Sequence, residues 1–386
     1  MTRLALFAAA TLLLFPGTGL PQEEKKPEAP QEEKAPKDDK AAKHQQDVVR
    51  LRGLEFKTDV TVAAYTKPEL VEFLKAEFEK ELPKEKAGRL QRGLAKFGLI
   101  PADLDLHDAF LELLGSSIAG FYHPKTKELR LIKPGEGGGN EEEEQAKEQF
   151  KKMGIDMDKI TLVHELTHAA QDQNFELSTL PLEDETNDDL IMAVKAVVEG
   201  DASVVGWKYG LKFMFEASIG LINEAYKTGM FPGKAGQLPA YMRKGLAFPY
   251  GYGTDFCLTY LKSTQGELKD LSKLYEDFPL SSEQILHPEK YTGERDNPML
   301  LTLPDLSALF GDPWKETFQN VHGEFYVKLL LNEFHTKALT EERAGQAAEG
   351  WDGDRYIVLE NDKQAPMYVW VSTWDSKEDA REFYEA

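Results

Sequence analysis

The chain has 386 residues, a formal net charge of −21 and a single cysteine, Cys257. The acidic balance argues against a nucleic-acid-binding protein, which would need a basic surface. One cysteine excludes an intramolecular disulfide and a cysteine-rich zinc site, so only histidines and carboxylates remain as credible zinc ligands. The length is sufficient for one large or two modest globular domains.

The first 21 residues have the pattern of a secretory signal peptide. Arg3 supplies a basic start, residues 4–15 form an apolar run, and small or helix-breaking residues follow at 16–19. The apolar run is too short for an ordinary transmembrane span. We therefore expect an exported protein of the periplasm, cell envelope or medium, with no stable membrane span after signal cleavage. The sequence does not specify its oligomeric state.

Residues 22–48 consist mainly of Glu, Lys, Pro, Ala and Gln. Such a segment buries too little apolar surface to offset the entropy lost on ordering, so we predict a disordered tether.

The next part of the chain alternates helical and strand patterns. Thr66 or Lys67-Pro68 opens a first helix, and further helices are predicted over residues 85–97 and 106–114. Residues 118–132 read as a β-hairpin. The Gly- and Glu-rich residues 134–151 are typical of a mobile surface insertion.

Past residue 151 the pattern is mainly helical. Asp188 or Asp189 can cap a helix whose buried stripe reaches Val205, and a short helix is predicted over residues 254–261. Residues 278–291 read as a polar and aromatic loop. In the C-terminal part we predict a helix, two strands and a closing helix, in that order, over residues 324–335, 355–359, 367–372 and 376–384.

Residues 164–168 read His-Glu-Leu-Thr-His and are the strongest chemical signal in the chain. On a helix, His164 and His168 are stacked on one face, so both imidazoles can reach one zinc ion. Glu165 is close enough to take a proton from water activated by that metal, as a general base. Asp156 or Asp158 can cap this helix, whose apolar stripe comprises Ile160, Val163, Leu166, Thr167 and Ala170.

A catalytic zinc ion usually takes three protein ligands, and Glu199 is our choice for the third, at one zinc per chain. Glu199 interrupts an apolar helical face, and metal coordination would remove the cost of burying its charge. Gly200 beside it allows two helix backbones to approach closely. The alternatives are that Glu199 faces solvent or that Asp201 is the ligand; Glu183 and Glu185 are weaker candidates because they fall in a predicted loop.

His287 and Tyr291 are the candidates for stabilising the transition state. Both side chains can donate a hydrogen bond to a carbonyl that develops negative charge. The competing interpretation is a structural clasp, in which Glu283 and Gln284 cap a helix end.

The stretch Trp351-Asp352-Gly353-Asp354-Arg355 reads as a tight turn. It lacks the full ligand spacing of a calcium loop, so we expect a structural ion pair between Asp354 and Arg355. Trp370 and Trp374 are expected in the core or edge of the closing strand and helix.

The zinc motif followed by a Glu from the next helix resembles the gluzincins, the thermolysin-like metallopeptidases. The resemblance implies a zincin-like fold, zinc held by His164, His168 and Glu199, Glu165 as general base, and a peptide or protein substrate. It places the hairpin of residues 118–132 where those enzymes have the edge strand that pairs with extended substrate. One position departs from the pattern: Ser203 stands where the family has an Asp that orients the first histidine. Asp201 or Asp172 could orient His164 in place of that Asp.

The chain also resembles a family of exported bacterial proteins of uncharacterised function, which implies a zinc metallopeptidase without a known substrate. The resemblance covers most of the chain after residue 110, in blocks at residues 120–122, 164–175, 198–202, 281–291 and 350–356.

Together these features predict an α+β protein, mostly helical, with a zincin-like catalytic domain over residues 49–310 and a small C-terminal α+β lobe over 311–386. The predicted function is zinc-dependent peptide hydrolysis. The alternatives are a catalytically silent zincin-fold binding or scaffold protein of the cell envelope, and a metal-free structural protein in which the histidine pair is incidental.

Overall fold

The structure is a computed structural model that describes residues 39–124, 126–133, 148, 150–152, 154–182, 184, 186–229, 233–311, 313–334, 338–361 and 364–386. It shows a mostly helical α+β protein with two small three-stranded sheets. The expected signal peptide, the first part of the expected tether and most of the expected insertion at 134–151 lie outside the described residues. Within the described part, no helix is long and apolar enough to cross a membrane.

Helix α1 spans Asp39–Arg52, so the interpretation of residues 39–48 as disordered tether is wrong. Val48 and Leu54 are buried against Val163, Leu166 and other apolar residues of the helix that carries the zinc motif. This tertiary contact stabilises a helix that the charged local sequence does not predict.

The first sheet contains the predicted hairpin. Strand β1 spans Thr61–Tyr65, β2 spans Gly120–His123 and β3 spans Glu128–Ile132. Strands β2 and β3 are antiparallel, which confirms the hairpin, while β1 pairs in parallel with β3 and was not anticipated. The sheet order β1-β3-β2 makes β2 an edge strand, and all of its residues are buried.

Three helices lie between β1 and β2 along the chain, in the segments where helices were predicted. Helix α2 spans Lys67–Glu81, α3 spans Lys84–Phe97 and α4 spans Leu106–Ser117. Thr66 and Glu69 form a capping box at the start of α2, which satisfies two backbone donors reciprocally.

Four helices follow in the central part of the chain. They are α5 at Met157–Phe175, α6 at Asp188–Leu211, α7 at Phe215–Lys227 and α8 at Ala240–Thr264. Helix α6 is buried along most of its length and packs against α5 and α8. The short helix predicted over residues 254–261 is wrong in extent: α8 continues through Pro249, because burial on nearly all sides hides its amphipathic period.

The segment predicted as a loop over residues 278–291 contains two short helices, α9 at Ser282–Leu286 and α10 at Glu289–Thr292. A further short helix, α11, spans Ser307–Phe310. Short 3-10 segments lie at Leu177–Thr179, Lys212–Met214, Gly233–Gln237 and Leu268–Tyr275.

The second sheet has three antiparallel strands in the order β4-β5-β6. They span Lys315–Asn320, Trp351–Asn361 and Gln364–Trp374. The helices of this region are α12 at Gly323–Leu329, which continues as a π-helical turn at Leu330–Phe334, α13 at Glu341–Ala348 and α14 at Lys377–Glu385. The predicted order of helix, two strands and closing helix is confirmed, with longer strands than expected.

The predicted turn at residues 351–355 is wrong, because these residues begin β5. Asp354 accepts hydrogen bonds from the backbone N–H groups of His322 and Gly323 and from the indole of Trp351. Arg355 instead donates to the carbonyl oxygens of Leu301 and Thr186. Among the described residues no ion pair joins Asp354 to Arg355, since neighbouring side chains on a strand point to opposite faces.

The C-terminal residues share the main hydrophobic core with the rest of the chain. Phe325 of α12 packs on Phe248 of α8, with ring centroids 4.5 Å apart. The backbone N–H of Asp188 donates to Asn320 Oδ1 at 2.7 Å. Trp370 and Trp374 contact Phe383 of α14, as expected for a closing strand and helix.

Candidate metal centre

Helix α5 carries the zinc motif in the geometry that its spacing predicts. Asp156 is its N-cap and accepts a hydrogen bond from the N–H of Lys159. His164 and His168 lie one turn apart, and their Nε2 atoms are 2.9 Å from each other. The two imidazoles therefore aim at a common point.

Glu199 of α6 reaches the same point. Its Oε2 lies 3.2 Å from His164 Nε2 and 3.3 Å from His168 Nε2. All three side chains are buried. Glu199 does not face solvent, and Asp201 is not part of this group; Glu183 and Glu185 lie outside the described residues.

Two glycines explain how α6 comes this close to its neighbours. A side chain on Gly200 would overlap the carbonyl oxygen of Gly253 in α8, so the two helices pack backbone to backbone. A side chain on Gly206 would come within 3.3 Å of the Cβ of His164. Glycine at these positions lets α6 place Glu199 beside the histidines.

The three donor atoms fit a zinc ion. Tetrahedral ligands about 2.0–2.1 Å from zinc lie roughly 3.3 Å from one another, and the observed separations of 2.9, 3.2 and 3.3 Å are close to this value. Glu199 Oε1 is buried and has no hydrogen-bond partner among the described residues. A buried carboxylate with an unpaired oxygen is costly unless a cation compensates it.

The charges of these three groups are coupled, because Glu199 lies between the two imidazoles. Burial opposes ionisation of Glu199, but the charge of His168 and hydrogen bonds from both histidines lower its pKa to about 2. Burial lowers the pKa of His164 to about 4. Burial also acts to lower the pKa of His168, but the charge of Glu199 outweighs it and raises that pKa to about 9.

The side chain of Glu165 extends from α5 to strand β2, and 0% of its surface is exposed. The backbone N–H of Tyr122 donates to its Oε2 at 2.8 Å, while Oε1 has no hydrogen-bond partner among the described residues. Burial raises the pKa of this carboxyl group. One oxygen is thus held by the strand, and the other accepts no hydrogen bond from the described residues.

The residues expected to orient His164 have other partners. Asp172 accepts hydrogen bonds from the hydroxyl of Tyr122 at 2.7 Å and from Lys127 Nζ at 2.6 Å, so it ties the hairpin to α5. Asp201 pairs with Arg52 at 2.6 Å and accepts from the hydroxyl of Tyr275 at 2.9 Å. Neither carboxylate is hydrogen-bonded to His164 in the described part of the chain.

Sequence reasoning did not single out Gln171, whose Oε1 lies 2.8 Å from His168 Nδ1. Its position three residues after His168 was the available signal, because such residues are neighbours on a helix surface. Tyr250 of α8 was also missed. The centroid of its ring lies 6.3 Å from that of His164 and 5.9 Å from that of Tyr226, and it stacks with both rings.

His287 and Tyr291 have partners elsewhere. His287 Nε2 lies 2.9 Å from Glu324 Oε1, and the hydroxyl of Tyr291 donates to the carbonyl of Asp277 at 2.5 Å. Burial acts to lower the pKa of His287, but the hydrogen bond and charge of Glu324 outweigh it and raise that pKa. Among the described residues, no hydrogen bond or ring contact joins this pair to His164, His168 or Glu199.

The contacts of this segment are structural, as the clasp interpretation has it, but Ser281 caps the helix and Glu283 and Gln284 do not. Ser281 caps α9, and the Gln284 side chain accepts from the N–H of Leu280 and donates to the carbonyl of Asp296. Glu283 binds Lys290 at 2.6 Å, and Lys290 also contacts Asp375 at 2.7 Å. These contacts tie residues 280–297 to the end of β6.

Residues 312–386 match the model of a family described as a domain of unknown function, DUF8575. The match covers β4, β5, β6 and the helices between and after them, and it does not include the zinc motif or Glu199. No curated protein matches the chain, and no solved structure matches it.

Proposed function

We propose that this chain is an exported zinc-dependent peptidase with a zincin-like fold. The observation that carries the proposal is the meeting of His164, His168 and Glu199 at one buried point, with Glu165 on the same helix turn. These three side chains would hold one zinc ion. When bound, zinc polarises a carbonyl and lowers the pKa of water, which is the chemistry that amide hydrolysis needs.

Glu165 would serve as the general base through its Oε1. The Tyr122 N–H holds Oε2, so the carboxylate has one fixed and one available oxygen. Oε1 would accept a proton from the attacking water and return it to the leaving amine. The gluzincin resemblance supports this assignment, since the motif Glu has the same role in that family.

Strand β2 supports the comparison with zincins as well. It is the edge strand of its sheet and lies against α5, next to the proposed base. An extended peptide would enter between this strand and α5, where backbone groups of the strand can pair with it. The Tyr122 N–H is already bonded to Glu165, so we expect peptide binding to compete for this donor.

The Glu165→Gln variant tests the proposal. The amide oxygen can still accept from the Tyr122 N–H, but the side chain can no longer take a proton. We expect cleavage of a peptide library to fall by about 10²- to 10⁴-fold, the usual contribution of a general base, while metal analysis still finds one zinc per chain. Glu176→Gln, at the exposed end of the same helix, is the matched control and should cleave like the wild type. Retained cleavage in Glu165→Gln, or a wild-type protein without zinc, would contradict the proposal.

The burial of the centre favours one alternative, a zincin-fold binding or scaffold protein of the cell envelope that does not turn over substrate. Glu165, His168 and Glu199 have at most 1% of their surface exposed. Zinc bound at one per chain, with no cleavage of a broad peptide library, would support this alternative. A purified protein without any metal would favour the third interpretation, a structural protein.

A further inference from the structure

We propose that Gln171 is a positioning residue that fixes the tautomer of His168, and that the buried pair of Asp201 and Arg52 fixes the orientation of Gln171. The inference rests on the proposed function. The tautomer of His168 decides whether Nε2 carries a lone pair, and Nε2 is the atom that would bind zinc. None of these three residues lies in the proposed ligand set.

The orientation of the Gln171 amide follows from its partners. Its Nε2 donates to the carbonyl oxygen of Val198 at 3.1 Å and to Asp201 Oδ2 at 3.0 Å. A carbonyl and a carboxylate can only accept hydrogen bonds, so the NH₂ group must face them. The amide oxygen therefore faces His168.

The tautomer of His168 follows in turn. Gln171 Oε1 is an acceptor 2.8 Å from Nδ1, so the hydrogen of the neutral imidazole belongs on Nδ1. The lone pair is then on Nε2, which is the atom that lies 2.9 Å from His164 Nε2 and 3.3 Å from Glu199 Oε2. Metal binding requires a neutral imidazole, and a hydrogen bond to its other nitrogen sets the ring orientation.

Arg52 holds the Asp201 carboxyl group in place at the end of this chain of hydrogen bonds. Arg52 Nε lies 2.6 Å from Asp201 Oδ1, and neither side chain has exposed surface. The guanidinium contacts Oδ1 and leaves Oδ2 to accept from the Gln171 amide, which keeps the NH₂ group on the side away from His168. Arg52 ends α1, so the first described helix acts on the metal centre through three consecutive contacts.

Gln171→Leu removes the acceptor and is compared with Gln173→Leu. Gln173 lies two residues further along the same helix and accepts from the N–H groups of Lys57 and Thr58, away from the histidines. The zinc dissociation constant is measured by competition with a chromophoric chelator, and the protonated nitrogen of His168 by ¹⁵N NMR of histidine-labelled protein.

We expect Gln171→Leu to weaken zinc binding about 10- to 100-fold, the usual effect of removing a partner of a ligand, while Gln173→Leu stays within about twofold of wild type. Wild-type His168 should carry its hydrogen on Nδ1 in the zinc-bound protein.

Unchanged zinc affinity in Gln171→Leu, or wild-type His168 with its hydrogen on Nε2, would overturn the inference. If Gln171→Leu does not fold, the NMR measurement on the wild type decides alone. A wild type that binds zinc but cleaves no peptide would refute the peptidase function and leave this inference standing.

Discussion

Arg52 and Asp201 form an ion pair in which neither side chain has any exposed surface. Arg52 also donates to the carbonyl of Lys269 and the hydroxyl of Ser272. Charges at such a depth are tolerated only when paired, because removing either partner leaves the other desolvated and uncompensated. This pair therefore makes α1 part of the folded centre rather than an extension of the preceding segment.

We expect Arg52→Ala to lower the free energy of unfolding by about 3–5 kcal/mol, since Asp201 would remain buried without its cation. Arg50→Ala is the matched control: Arg50 pairs with Asp47 on the same helix but is 71% exposed, so its loss should cost less than about 1 kcal/mol. Urea denaturation followed by circular dichroism measures both. Equal effects of the two substitutions would contradict the structural role assigned to Arg52.

At the scale of elements, contact between α6 and α8 decides where Glu199 lies. Each helix presents a glycine to the backbone of the other: Gly200 faces the carbonyl of Gly253, and Gly253 faces the carbonyl of Ala196. Glycine within a helix is unfavourable by about 1 kcal/mol relative to alanine, so local propensity does not explain these positions. Close packing of the two backbones explains why glycine occupies these positions.

Gly200→Ala should push α6 and α8 apart and lower the free energy of unfolding by about 1–3 kcal/mol, as overpacking usually does. Gly220→Ala in α7 has no neighbouring atom within 4 Å of the added carbon and should stabilise by about 0.4–1 kcal/mol. Urea denaturation measures the two opposite signs, and zinc affinity should fall only in Gly200→Ala. A stabilised Gly200→Ala protein would show that the two backbones do not need this contact.

At the scale of the whole molecule, two buried acids, Asp189 and Asp354, lie where the start of α6 meets the C-terminal part of the chain. Asp189, at the start of α6, accepts from the backbone N–H of Ser282 at 3.0 Å. Burial, with the nearby charges of Asp354 and Glu324, raises the pKa of Asp189 to about 8. Burial likewise raises the pKa of Asp354 to about 6. The junction thus holds carboxyl groups that are protonated at neutral or mildly acidic pH.

This arrangement predicts that stability falls as pH rises. Between the ordinary Asp pKa near 4 and the folded value of about 8, the folded protein binds a proton at Asp189 that the unfolded chain has lost. The free energy of unfolding therefore decreases with pH across this window, by at most about 1.4 kcal/mol per pH unit for this group, and levels off above it.

Asp189→Asn should remove this part of the pH dependence, because the amide stays neutral and can still accept from Ser282. Urea denaturation at pH 6 and pH 9 is expected to show a smaller loss of stability in the variant than in the wild type. The control is Asp158→Asn, because Asp158 is exposed and is the second residue of α5, as Asp189 is of α6. This variant should lose as much stability between pH 6 and pH 9 as the wild type. The same pH dependence in wild type and Asp189→Asn would refute the prediction.

The elements that local rules describe were predicted well. The β-hairpin, the capped helices α2 and α4, and the helix of the zinc motif follow from alternation, capping residues and helical period, which act within a few residues. Helix α1 and the full length of α8 were not predicted. Their stability comes from packing on α5 and α6, and packing partners far apart in sequence leave no local pattern.

For the candidate site, the sequence by itself determined the pair of histidines and the position of Glu165 beside them, because one helix turn sets their geometry. Only the tertiary structure decided that Glu199 joins them, that Gln171 rather than Asp201 or Asp172 contacts a histidine of the pair, and that His287 pairs with Glu324. The reason is physical: a carboxylate on another helix reaches the histidines only if the helices pack closely enough, and this distance depends on side chains from many parts of the chain.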